Sequence, residues 1–332
     1  MDYKLGILDQ SPIFPGKSAV DALQSSINLA QHAEKWGYHR FWVSEHHQSD
    51  DVAGVSPEVL ISHLLAKTSS IKLGSGGVML QHYSPYKVVE NFHLLATLEP
   101  GRVELGLGKA PGGFSLSTKA LRYGATGSDI DFDERLLTLQ KLVHNSLDET
   151  HPLFGVKALP RPKEVLPTFL LGASTNSAKL AAELGMNFVF ARFLNGSDSI
   201  LDEAVKVYRD IHPKGKFIVS VATFAAASQD EAEEEARNYK IFKITLSSGR
   251  SVSVQSPEQV EEFRKQTDEP FEVTEREVEM IAGTPTFVKE ELDWLADAYQ
   301  IDEFILHTPI LNEEKRLKSF ELLGHLSLQS VE

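Results

Sequence analysis

An apolar run of three to seven residues, followed by a stretch with helical periodicity, recurs eight times along this chain, and no other feature restricts its fold as tightly. The runs are Leu5–Leu8, Phe41–Val43, Ile71–Gly74, Val103–Leu107, Phe169–Leu171, Phe188–Phe190, Phe217–Thr223 and Phe304–Leu306. The first helix should end near Trp36, and the second should start at Pro57 behind Ser56 as its N-cap. The others are expected over about 86–98, 131–146, 177–184, 199–211, 230–246 and 313–326, with Gly185 closing the fifth. Eight such units predict an α/β chain folded as a (β/α)8 TIM barrel, with a doubly wound open sheet as the runner-up. The 332 residues fit one barrel domain spanning 1–332 with an insertion after strand seven.

Three connections are long: 109–130, the Pro-rich 150–167, and the polar 247–281. The last follows strand seven on the face where a barrel builds its chemistry, so it reads either as a mobile active-site lid or as a solvated insertion. A formal charge of −14 argues against nucleic acid or an anionic membrane as partner. No apolar run approaches a membrane span, and the first residues lack the pattern of a signal peptide. The absence of cysteine removes disulfides, thiol nucleophiles and thiolate metal sites, and fits a cytoplasmic location.

Strand exits carry the polar residues. RFWVSEHH places Glu45, His46 and His47 directly after strand two, with the two imidazoles on opposite faces, so both cannot ligate one ion from a regular strand. No metal site is expected. Strand three ends LGSGGVML, where Gly74, Gly76 and Gly77 mark either a turn or bulge, or a surface that a flat ring can approach. Strand five ends GASTNSAKL, where Ser174, Thr175, Asn176 and Ser177 precede a helix. One of them caps the helix; four together suit an anion, phosphate above all. Lys109 and Arg192, at the exits of strands four and six, are either solvated cations or flanking ligands of that anion.

Taken in order, WVSEHH, LGSGGVMLQHYSP, GRVELGLGKAPGG, LGASTNSAKLAAELGMNFVFARF and AGTPTFVKEELDWLADAYQIDEFIL resemble the bacterial luciferase-like flavin monooxygenases over nearly the whole chain. The resemblance implies FMN as cofactor or, in one branch, the deazaflavin F420. It makes His46 the active-site histidine, and Gly76–Gly77 the pair that forms a non-proline cis peptide beneath the isoalloxazine. Ser174 and Ser177 fall on the phosphate turn, and Lys109 replaces an arginine that contacts phosphate. Ala173 stands where luciferase has a glutamate and Gly108 where it has a reactive cysteine, so light emission is not implied. The 247–281 stretch matches the family's mobile loop. The expected activity is oxygenation of a small organic substrate with O2 and reduced FMN from a separate flavin reductase, by a homodimer. The alternatives are F420-dependent hydride transfer, or flavin binding without turnover.

Overall fold

The computed structural model describes residues 3–124, 130–249, 251–254 and 256–329. Its first half runs β1 (Lys4–Asp9), α1 (Ala19–Lys35), β2 (Arg40–Val43), α2 (Pro57–Leu65), β3 (Lys72–Ser75), β4 (Val78–Met79), α3 (Pro85–Leu98), β5 (Val103–Gly108), α4 (Ser115–Leu121) and α5 (Phe132–His144). The second half runs β6 (Thr168–Gly172), α6 (Thr175–Glu183), β7 (Asn187–Ala191), α7 (Asp198–Ile211), β8 (Phe217–Ala225) and α8 (Gln229–Arg237). Then come β9 (Lys240–Leu246), β10 (Ser251–Val254), α9 (Pro257–Arg264), β11 (Phe271–Glu277), β12 (Met280–Gly283), α10 (Pro285–Tyr299), β13 (Glu303–His307) and α11 (Glu313–Gln329).

Strands β1, β2, β3, β5, β6, β7, β8 and β13 pair in parallel, and the β7–β8 and β13–β1 contacts close the ring. The sequence-predicted barrel is therefore the fold, and the open sheet is excluded by closure. Local chemistry sets the helix starts. Ser18 and Asp21 form a capping box on α1, Asp131 caps α5, and Thr284 caps α10 with Pro285 in its first turn.

Alternation along the strands sorts side chains between two cores. Leu8, Trp42, Phe169, Val189, Ile218 and Ile305, from six strands, fill the barrel interior. Ile7, Phe41, Leu73, Leu105, Phe188 and Leu306 point outward into the helix layer. Below the interior cluster lies a charged layer at the N-terminal end. Arg40, fully buried, forks onto Glu303 and reaches Glu104, and Trp42 Nε1 donates to Glu104 Oε2 at 2.9 Å.

The region after β8 departs from expectation. A helix over 230–246 was expected, but α8 stops at Arg237 and Lys240–Leu246 is a strand. The residues KIFKITL alternate and carry β-branched side chains, which favour a ladder over a helix. This β9 pairs antiparallel with β10 and β11 in a three-stranded sheet apart from the barrel. Of the expected 247–281 loop, residues 250 and 255 lie outside the described residues, as do 125–129 of the 109–130 connection. The described remainder of 247–281 holds β10, α9, β11 and the start of β12. Ile244, Leu246, Val254, Val260 and Phe263 give this excursion its own small core, which Phe114 joins from the loop after β5. Phe263 meets Phe114 edge-on at 5.3 Å, Leu116 N–H donates to Gln266 at 3.0 Å, and Gln259 bonds Asp51 in the loop after β2. The excursion leaves from β8, three strands round the ring from both β2 and β5, and so reaches the far side of the C-terminal mouth.

Candidate active site

The exit of β2 is held by a buried carboxylate. Glu45 Oε1 accepts from the Tyr83 hydroxyl at 2.7 Å and lies 2.7 Å from His47 Nε2, while Oε2 accepts from the Met79 N–H at 3.0 Å. Burial, then the Glu45 charge, pushes the Tyr83 phenol up, so it stays a donor. His47 also donates its backbone N–H to Gly112 at 2.7 Å, which binds the β2 and β5 loops together. His46 is set apart from this network. Its backbone N–H goes to Gly54 at 2.9 Å, and its Nδ1 lies 3.1 Å from Ser44 Oγ. Burial lowers the His46 imidazole to about 4, with His47 acting in the same sense and Glu45 opposing. The ring is therefore neutral at pH 7. It can accept a proton or offer one N–H, but it does not sit half-protonated as an ordinary histidine would.

Between β3 and β5 lies a seam without side chains. The Gly76–Gly77 peptide is cis. A Cβ on Gly76 would come 2.5 Å from Leu8 Cδ1, and one on Gly77 would come 2.9 Å from the Gly106 carbonyl carbon and oxygen. A Cβ on Gly106 would fall 2.0 Å from the Ser75 carbonyl oxygen. Ser75 Oγ locks the seam by donating to the Gly106 carbonyl at 2.8 Å and accepting its N–H at 3.0 Å. Gly77 is thus demanded by the backbone of β5, and Gly76 by the barrel floor.

Next in the ring, β6 runs into α6. Ser174 is the N-cap: its Oγ accepts the Ser177 N–H at 3.2 Å and lies 3.0 Å from Ser177 Oγ. Gly172 allows this turn to close, since its Cβ would sit 2.5 Å from Ser177 Cβ. Asn176 is exposed at the same helix start. Lys109, 71% exposed, makes a 3.6 Å contact with Asp133 that solvent weakens, so its ammonium can turn to another partner. Arg192 differs. Its guanidinium is clamped by Asp198 at 3.0 Å and by Glu279 ahead of β12, and its buried Nε has no partner. It clasps the returning end of the excursion to the exit of β7. Beside it a cavity of about 320 Å³ opens between Phe193, Ala222, Met280 and Trp294.

One group was missed at the sequence level. His307 ends β13 and is buried, its ring 5.3 Å from Phe193, and its Nδ1 has no hydrogen-bond partner. Burial, reinforced by Arg316, lowers it to about 3. The signal was present: FILHTP is an apolar run ending in imidazole, as WVSEHH is. Among the described residues no group of three His, Asp or Glu side chains is arranged to hold a metal ion. No helix among them is long and apolar enough to cross a membrane.

A closed parallel barrel whose strand exits carry Glu45, His46, Ser174 and His307 at the C-terminal mouth has the layout of a (β/α)8-barrel enzyme. A family model described as luciferase-like monooxygenase matches residues 3–306, and the chain belongs to that family. It is 46% identical over 324 residues, 97% of each chain, to an N-acetyl-S-alkylcysteine monooxygenase of Bacillus subtilis. It is 34% identical to a luciferase-like monooxygenase of Escherichia coli, over 95% of this chain and 94% of that one. Among solved structures, apo-MsnO8 superposes with a TM-score of 0.78 at 31% identity, over 98% of both chains. The oxygenating constituent of 3,6-diketocamphane monooxygenase from Pseudomonas putida, in complex with FMN, shares the fold (TM-score 0.69, 18% identity, 98% of this chain and 97% of that one).

Proposed function

We propose that the protein is a flavin-dependent monooxygenase that takes reduced FMN from a separate reductase and oxygenates a thioether carried on an N-acylated amino acid. The observation that carries the flavin is the joining of two features on neighbouring strands. The side-chain-free seam of β3 and β5 suits a flat ring, and the capped start of α6 on β6 suits a phosphate. The substrate class is suggested by the 46% identical relative. When bound, reduced flavin supplies the two electrons with which O2 is divided between product and water.

The chain's own residues do the rest. Ser174 and Ser177 hydroxyls and the free N–H groups at Thr175 and Asn176 would hold the phosphate, with Lys109 adding charge from the side. Arg192 is left out, because its fork already serves Asp198 and Glu279. His46, oriented by Ser44, would accept or hold a proton at the reacting edge as a neutral imidazole. The excursion, pinned at Phe114 and Asp51, would keep water from the mouth.

The test is anaerobic titration with reduced FMN and with reduced F420, followed by O2 enriched in the heavy isotope and N-acetyl-S-methylcysteine. The expected result is FMN binding and one labelled oxygen atom in the product. Binding of F420 alone, with hydride transfer and no label, overturns the reading in favour of a dehydrogenase or reductase. Flavin binding with no turnover of any thioether removes the enzymatic part.

A further inference from the structure

Resting on that reading, we propose that His307 is a substrate-binding residue whose unpartnered Nδ1 accepts a hydrogen bond from the amide N–H of the N-acylated substrate. Its position comes from the barrel. β13 lies directly across the ring from β5, and the glycine seam and phosphate turn occupy β3, β5 and β6. The half of the mouth left for a substrate is therefore the one that β1, β8 and β13 bound. Ile305 belongs to the interior cluster, so His307, two residues on, faces the same interior at its open end. Phe193 covers one side of the imidazole at 5.3 Å, and His46 is close enough across β1 to be felt electrostatically.

The nitrogen's chemistry selects the partner. A buried ring nitrogen left without a hydrogen bond is costly, and such atoms in a mouth await a ligand. The ring is neutral, held so by burial and by Arg316, so it carries one N–H and one lone pair. Nδ1 makes no bond, and with the N–H on Nε2 its lone pair is left for the ligand. A lone pair takes donors and rejects carboxylates. An N-acetyl-S-alkylcysteine, the class named for the 46% identical relative, carries one donor at neutral pH, its amide N–H.

Calorimetry on the FMN-loaded protein decides the matter, with N-acetyl-S-methylcysteine and its ester isostere, 2-acetoxy-3-(methylthio)propanoic acid, as probes. Wild type should bind the amide at least tenfold more tightly than the ester. In His307→Phe the two should bind within twofold of each other, at unchanged FMN affinity, and His307→Asn should restore part of the preference. Equal binding of amide and ester by wild type overturns the assignment even if the variants fail to fold. A preference that survives in His307→Phe overturns it as well. If neither probe binds wild type, the thioether substrate class itself falls, and the assignment with it.

Discussion

The two ends of the barrel interior use buried polar groups in opposite ways. At the N-terminal end Arg40, Glu104, Glu303 and Trp42 satisfy one another, while His39 Nε2 near them has no partner. At the C-terminal end the His46 ring has Ser44 as its hydrogen-bond partner, and His307 keeps a nitrogen idle. The same residue chemistry is spent on cohesion at one end and held in reserve at the other. Within the barrel interior the Arg40 cluster thus forms a mutually satisfied structural layer, and the mouth around His46 and His307 keeps ring nitrogens for a ligand.

Breaking the closed layer should give the largest effect. Arg40→Leu leaves two carboxylates buried without their cation and should cost about 3–5 kcal/mol in urea unfolding. A loss under about 1 kcal/mol would show that the charged layer is not what holds that end. At the mouth the loss should fall on rate instead. His46→Ala should lower oxygenation by roughly 10²–10⁴ while FMN affinity changes only a few-fold and the unfolding midpoint barely moves. His47→Ala, which strips Glu45 of a partner, should reverse that pattern by costing about 1–3 kcal/mol of stability. Equal rates in both histidine variants would abolish the division of labour between them.

Acid sharpens the comparison further. His46 is lowered to about 4 and His307 to about 3, as is His39 near Arg40, all from an ordinary 6.5. From pH 6.5 down to those values the unfolded chain binds protons that the folded chain refuses. Stability is therefore full above pH 6.5 and falls as the pH drops through that window, and His307→Phe should flatten the fall between pH 6.5 and 4. Turnover should show no inflection near 6.5, with its acid limb toward 4; an inflection at 6.5 would mean that the mouth leaves His46 solvated. The smallest effect belongs to the exposed cation: Lys109→Ala should weaken FMN binding two- to fivefold, within about 1 kcal/mol. A hundredfold loss would make Lys109 a principal anchor.

The barrel was legible because its signals are local. Each strand is a short apolar run, and each exit shows its polar residue within a few positions. The excursion was not, because KIFKITL follows the helix of α8 without a glycine or proline to announce the change, and its strand character depends on partners up to 37 residues away. The lowered titration of His46 could not be read from the sequence, since burial is a property of the assembled mouth. Arg192 presented the same sequence signal as Lys109, and only the folded chain brings Glu279 to it from 87 residues away. The Glu45–Tyr83 bond, 38 residues apart, was equally out of reach.

β12 lies parallel beside β8, with Met280 next to Ala222 and Gly283 next to Ala225. The excursion thus departs from one barrel edge and comes back to that same edge. Its two stems are neighbours in the folded barrel, so the entropy of joining them depends only weakly on how much chain intervenes, about 0.6 kcal/mol for each doubling. The segment is in effect an interchangeable cartridge: another sheet, a longer one or a bare turn could be fitted between the same stems without altering the order of the eight barrel strands. Variation in what the mouth admits can therefore accumulate in a part of the chain on which closure of the barrel does not depend.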